Sequence, residues 1–269
     1  MFVERVEPSF ADVLSAPAFL VGLLFRIPVL GTGLKWIWNV LLTVAWGAAS
    51  LLDAGLGLAG VLPEKRLRVG VLLICGPGET GLSTEGIVSG LVAQMEQAAE
   101  ILLRQARVRL IPAVRMGRSS VAGTPWGVDG SWVKVVSAKN AAGMLDVGCN
   151  WQAVREELGL FGSRFEAMAA KASYHTQFRR ILGCGSPVFV FAVRSIRGFK
   201  GCSLGPLTDY VTVDRASPLC LTHEIGHACN LPHHRGAPAN LMDPDTCTGE
   251  LLARWQAVLL RMSRHVTYF

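Results

Sequence analysis

Residues 217–244 read SPLCLTHEIGHACNLPHHRGAPANLMDP, and the rest of the chain organises around them. Ser217-Pro218 is a helix start, the serine hydroxyl free to cap and the proline pre-set for the first turn. The helix predicted to follow carries His223 and His227 four residues apart, so both imidazoles leave one face and can reach a single ion. Glu224 then stands beside the remaining coordination position. Asn230 sits where the helix should stop, because asparagine takes the left-handed conformation cheaply. Pro232 blocks continuation and swings His233 back toward the ion. His234 is the alternative third ligand, less favoured by register. Catalytic zinc sites commonly use three protein ligands plus a water, which assigns His223, His227 and His233 as ligands of one Zn2+. Burying these groups together with no ion among them would be costly, so a helix whose histidines merely satisfy hydrogen bonds is hard to build.

The run His223-Glu224-x-x-His227-x-x-Asn230-x-x-His233, with Asn240-Leu241-Met242-Asp243-Pro244 after it, resembles the signature of the metzincin clan of zinc peptidases. The resemblance is specific over 223–244 and looser over 67–269. It implies a mixed α/β fold: a twisted sheet, an active-site helix, and a closing helix from about Thr248 to Arg264. It also implies that Met242 forms an apolar floor under the site, and that the chain is a zinc endopeptidase with Glu224 as general base. Asn230 replaces the clan's usual glycine and meets the same backbone demand. Pro244 stands where some branches have a tyrosine ligand or oxyanion helper, so the branch, matrixin-like or reprolysin-like, stays open.

Upstream, Leu67–Ile74 reads as a buried strand and 83–106 as a helix with Ile87, Leu91, Met95, Ala98, Ile101 and Leu102 on one face. Val108–Val114 reads as a second strand, making a βαβ unit with parallel strands. The section 115–148 is rich in Gly, Ser and Trp, with a possible strand at 132–136; 151–158 and 163–181 read as helices. Pro187–Val193 is the clearest buried strand, and Asp209–Asp214 a shorter, more polar one that could pair with an extended peptide, as the upper edge strand of metzincins does. Gly76–Gly81 matches a dinucleotide fingerprint, but Pro77 removes an amide and Arg115 stands where an acidic ribose contact would be, so a plain βα turn is the better reading. Glu250 reads as a first-turn acid of the closing helix. His175 and His265 have no metal-spaced neighbours and read as ordinary residues.

The chain's 51% hydrophobic against 17% charged residues is more apolar than a soluble domain usually shows. Two hydrophobic stretches, 13–31 and 36–61, account for much of this. Pro17, Arg26 and Pro28 make the first interfacial or re-entrant, whereas the second is long enough to span a bilayer, with Trp36 and Trp38 at one interface. The alternatives are a helical hairpin packed on the rest of the protein, or a signal segment ending near Ala48-Ala49-Ser50. We therefore divide the chain into a membrane-associated segment, 1–62, and a peptidase domain, 63–269. The net charge of +6 is scattered without a long run, which argues against a nucleic-acid partner; Lys65, Arg66 and Arg68 suit a lipid headgroup zone. Of seven cysteines, Cys75 and Cys229 read as buried hydrophobes, while bridges among Cys184, Cys202, Cys220 and Cys247 fit an oxidising, extracytoplasmic space. A protein or peptide substrate is the expected partner. The competing function is a catalytically inactive, zinc-stabilised binding or assembly module at the membrane, against which Glu224 argues.

Overall fold

The computed structural model describes residues 17–269 other than 19, 26, 28, 78, 80, 81, 114–131, 138–141, 159–161 and 174–176, with backbone alone at 82, 83, 142, 156–158, 162, 163 and 218. Two helices, α1 (Leu30–Ala49) and α2 (Leu51–Leu58), precede β1 (Lys65–Cys75), α3 (Leu82–Ala106) and β2 (Val108–Pro112). Next come β3 (Val133–Ser137), β4 (Asp146–Val147), α4 (Trp151–Leu158), α5 (Gly162–Ala172) and α6 (Gln177–Leu182). The chain then runs through β5 (Val188–Val193), β6 (Ser195–Ile196), β7 (Gly201–Ser203) and β8 (Tyr210–Asp214) to α7 (Leu221–Ala228), α8 (Arg254–Arg261) and β9 (Val266–Thr267).

The architecture is mixed α/β around a sheet ordered β2-β1-β5-β8-β7. Strands buried on both faces must be apolar throughout, and β5 is buried at every position. The βαβ unit has parallel strands, with Lys65 opposite Val108. Val71–Leu73 pair with both β3 and β5, and Arg66–Leu67 with both β2 and β9, so β2 and β3 share one side of β1 while β9 extends the β5 side. The two-residue period of β1 divides the core. Leu67, Val69, Val71, Leu73 and Cys75 pack with α3, α7 and α8, whereas Leu72 and Ile74 face Phe165, Phe191 and Tyr210.

Several boundaries differ from the sequence reading. The strand at 209–214 is present but interior, with β5 parallel on one side and β7 antiparallel on the other, so it offers a peptide no free edge. The edge is β7, whose three residues, one a glycine, carry no readable strand pattern. The helix expected over 163–181 is divided into α5 and α6, and the closing helix starts only at Arg254. Glu250 lies ahead of that helix and pairs with Arg104 of α3 at 2.7 Å, so the ion pair replaces the dipole account. The turn after β1 is closed by Glu79, which accepts from both terminal nitrogens of Arg215 at 2.7 Å and from the Gly76 amide. His175 and Arg115 lie outside the described residues.

The single spanning helix expected within 36–61 is also corrected. No single described helix is long and apolar enough to cross a membrane; α1 and α2 together are, but bend by 55° at Ser50. The reason is a polar face. Lys35, Asn39, Thr43 and Gly47 recur every fourth residue and share one side of α1. Lys35 Nζ meets Asp209 Oδ2 at 2.8 Å, and Asn39 donates to the Leu207 carbonyl at 2.7 Å. The indoles of Trp38 and Trp46 donate to Ile181 and Leu182 carbonyls at 2.8 and 3.1 Å. Past the bend, Asp53 reaches Lys65 at 2.9 Å and Arg261 at 3.1 Å, and accepts from Tyr268. Lys65 is therefore buried in an ion pair instead of meeting lipid headgroups, and Arg68 donates to the Phe269 carbonyl.

Asp209 is the hub of this docking. Burial alone would raise its carboxyl, but Arg264, Lys35 and Arg180 hold it well below the ordinary carboxylate range. Glu166 completes the cluster with a two-pronged contact to Arg180 at 2.8 and 2.9 Å. Asp209→Asn leaves three buried cations facing one remaining anion; the expected loss is about 3–5 kcal/mol, read as a Tm drop on the order of 10 °C in thermal unfolding.

His265 behaves oppositely. It is fully enclosed, its Nδ1 2.7 Å from the Ser186 carbonyl, and burial, aided by Arg264, holds its pKa down at about 3. The folded protein keeps it neutral while the unfolded chain protonates it below about 6.5, so its contribution is complete above that pH and is lost as pH falls toward 3. Denaturant titrations at pH 7 and pH 5 should show wild type losing about 2 kcal/mol more stability across that interval than His265→Gln.

Candidate metal centre

The chain enters the centre through a 3-10 turn, Pro218–Cys220, and α7 proper begins at Leu221. Ser217 thus lies a turn ahead of the α-helix, which has no side-chain cap; Cys220, the residue before it, is held instead by a disulfide to Cys247. At the other end Asn230 has φ 72°. The Leu231 amide reaches back to the Gly226 carbonyl and the Asn230 amide to the His227 carbonyl, both at 3.0 Å. This paired closure needs a left-handed residue where Asn230 stands.

The turn also aims the ligands. His227 Nδ1 donates to the Leu231 carbonyl at 2.7 Å, and His223 Nδ1 to the Leu241 carbonyl at 2.8 Å. A carbonyl can only accept, so both rings carry their proton on Nδ1 and present a bare Nε2. His233 completes the group: its Nε2 lies 3.0 Å from His227 Nε2, and ligand atoms of the three rings all fall within 4.8 Å of one another. Such convergence fits a metal ion, and His233, not His234, supplies it. Burial lowers the proton affinity of all three, most at His227, to about 4, so they stay neutral and ready to ligate.

Glu224 is buried, and its Oε2 has no hydrogen-bond partner among the described residues. Desolvation pushes its pKa up to about 8. It lines, with the three histidines, an open cleft of about 610 Å³. The carboxylate lies directly against β7: a Cβ on Gly201 would come 2.6 Å from Glu224 Cγ. Met242 is fully buried under α7, where a Cβ on Gly226 would meet its sulfur at 2.6 Å. The turn that carries it is pinned from both sides. The Met242 amide donates to Asn240 Oδ1 at 2.9 Å and its carbonyl accepts from the His234 amide at 2.8 Å, while Asn240 exchanges amide hydrogen bonds with Gln256 of α8.

Two features of the cleft had no clear signal in the sequence. Gly201 is one, since a glycine that leaves room for a carboxylate looks like any loop glycine. The other is the disulfide pattern. Cys220–Cys247 falls within the group expected to bridge, but Cys202 pairs with Cys149, and Cys184 is free together with the buried Cys75 and Cys229. Both bridges line the cleft, joining segments 53 and 27 residues apart.

With the three rings as the binding set, His233→Ala should weaken zinc affinity by more than the roughly 10–100-fold that losing an outer-shell partner of a ligand costs. His234→Ala should leave it within a few-fold, both read by competition with a chromophoric chelator. No known family model matches the sequence, and no curated protein is significantly similar to it.

Proposed function

We propose that the chain is a zinc-dependent endopeptidase, and the observation that carries the reading is the buried, unpartnered Glu224 carboxylate in the same cleft as three converging imidazoles. A zinc ion held by His223, His227 and His233 would supply Lewis acidity at a substrate carbonyl and lower the pKa of a coordinated water toward about 7. The double charge of that ion would offset the burial that raises the Glu224 carboxyl and hold it ionised, so that Glu224 could accept the proton of the attacking water and pass it to the leaving amine. The free edge of β7 pairs with an extended peptide and lays its scissile bond over the cluster. The His-Glu-x-x-His spacing, the turn at Asn230 and the methionine under the helix support a metzincin-like member. Three protein ligands beside an orphan acid favour catalysis over a purely structural zinc, which is usually closed by four.

Other features support the setting. The outward face of α1 exposes Leu30, Leu34, Ile37, Leu41 and Val44 at three- and four-residue spacing, continued by Leu51 and Leu52. Such a face suits a helix lying in the membrane interface, so the protein sits on the bilayer through this bent pair of helices. Two disulfides in the cleft favour an oxidising, extracytoplasmic location. Lys35, Lys65, Arg180, Arg261 and Arg264 are buried, five cations held inside the protein and not displayed to a nucleic acid.

Digestion of a peptide library with and without a chelator tests the reading directly, and cleavage insensitive to metal removal would sink it. Glu224→Gln should retain zinc and lose about 10²–10⁴-fold in turnover. Gly201→Ala should do the same in milder form, because the added methyl displaces the carboxylate. Wild-type turnover in Glu224→Gln would remove Glu224 from the mechanism.

A further inference from the structure

The histidine cluster opens on two sides. One is the cleft containing Glu224, which extends past Gly201 toward Pro244–Cys247. The other is a separate cavity of about 540 Å³ that shares Ser203, His227 and His233 with the first and has a mostly apolar lining. Met262 at the end of α8 forms one side of it. Thr43 and Gly47 of α1 form another. A helix from the hydrophobic N-terminal segment is thus part of the boundary of a cavity that touches two candidate ligands.

The direction of β7 assigns this cavity a place along a bound peptide. Antiparallel pairing is the more stable arrangement per residue, and a peptide pairing so with that edge runs from the Ser203 end toward the Gly201 end. Residues before the scissile bond therefore lie at the cavity beside α1, and residues after it lie in the Glu224 cleft. We propose that the cavity is a binding subsite for a bulky apolar side chain on the amino side of the scissile bond, and that α1 is a wall of that subsite. The inference rests on the peptidase reading and adds its substrate class: peptides with a large aliphatic or aromatic residue at this position. Volume agrees, since ligand pockets run from about 300 to 1,000 Å³. Chemistry agrees as well, because the inner face of α1 brings a glycine and a threonine where bulkier residues would fill the space. The opposite face of the same helix carries the exposed apolar stripe, so the subsite lies about one helix diameter, roughly 10 Å, from the surface assigned to lipid.

The test uses full-length, zinc-loaded protein and two probes, N-acetyl-phenylalanine hydroxamate and N-acetyl-glycine hydroxamate, whose side chains fall on the amino side of the metal-binding group. Calorimetry should find the phenylalanine compound bound at least about tenfold more tightly, the gain expected for enclosing a benzyl group. Gly47→Phe places a ring on the wall of the cavity, at a position where a Cβ meets nothing within 4 Å. In that variant the preference should fall below about threefold, with affinity for the glycine compound unchanged. Equal affinities in wild type, or a preference that survives Gly47→Phe, would overturn the subsite while leaving the metal site standing. Failure of both compounds to bind wild type would overturn the peptidase reading itself. If Gly47→Phe does not fold, Thr43→Leu, which narrows the same wall, takes its place, and a preference that survives it overturns the subsite.

Discussion

The left-handed residue at the end of the helix that carries His223 and His227 is the constraint on which the site depends. At Asn230 the chain abandons α7, and one change of backbone direction has two effects: the Leu231 carbonyl is turned back to accept from His227, and His233 is carried up to face its partners. Asparagine tolerates the conformation where most side chains would cost about 1–2 kcal/mol. The same segment is tied to the methionine turn through the His234 amide, and that turn supplies the carbonyl that orients His223. His223 and His227 therefore share one hydrogen-bonded frame with the turn that presents His233.

Much of this was legible because it is local. The histidine spacing, the stop at Asn230 and the buried β1 and β5 strands are properties of neighbouring residues, and the sequence shows neighbours. Gly201, the edge strand and the Cys149–Cys202 bridge were not legible, because each is defined by what lies across space from it. The strand taken for an edge shows the limit: Tyr210–Asp214 looks polar enough to face outward, yet β7 covers it, and three residues carry too little pattern to be noticed.

The N-terminal segment misleads for a different reason. A hydropathy window averages over all faces of a helix, and α1 has two unlike ones. Lys35 and Asn39 dock onto the protein and Thr43 and Gly47 continue the same face along the cavity, while Leu30, Leu34, Ile37, Leu41 and Val44 face outward. Read at a four-residue period, the polar face is present in the sequence. What it docks onto is not, since Asp209 acquires its meaning only with Arg180, Arg264 and Lys35 around it.

The separation of these partners has a consequence for how the molecule comes into being. Lys35 waits for a residue 174 positions later, and the partner of Asp53, Arg261, lies 208 positions on. Contacts that distant close slowly, and a growing chain cannot make them until almost all of it has been synthesised. Until then Lys35 and Asp53 lack the partners they have in the folded protein. The docking of residues 30–58 is thus among the last events of folding, completed only when the C-terminal third is present.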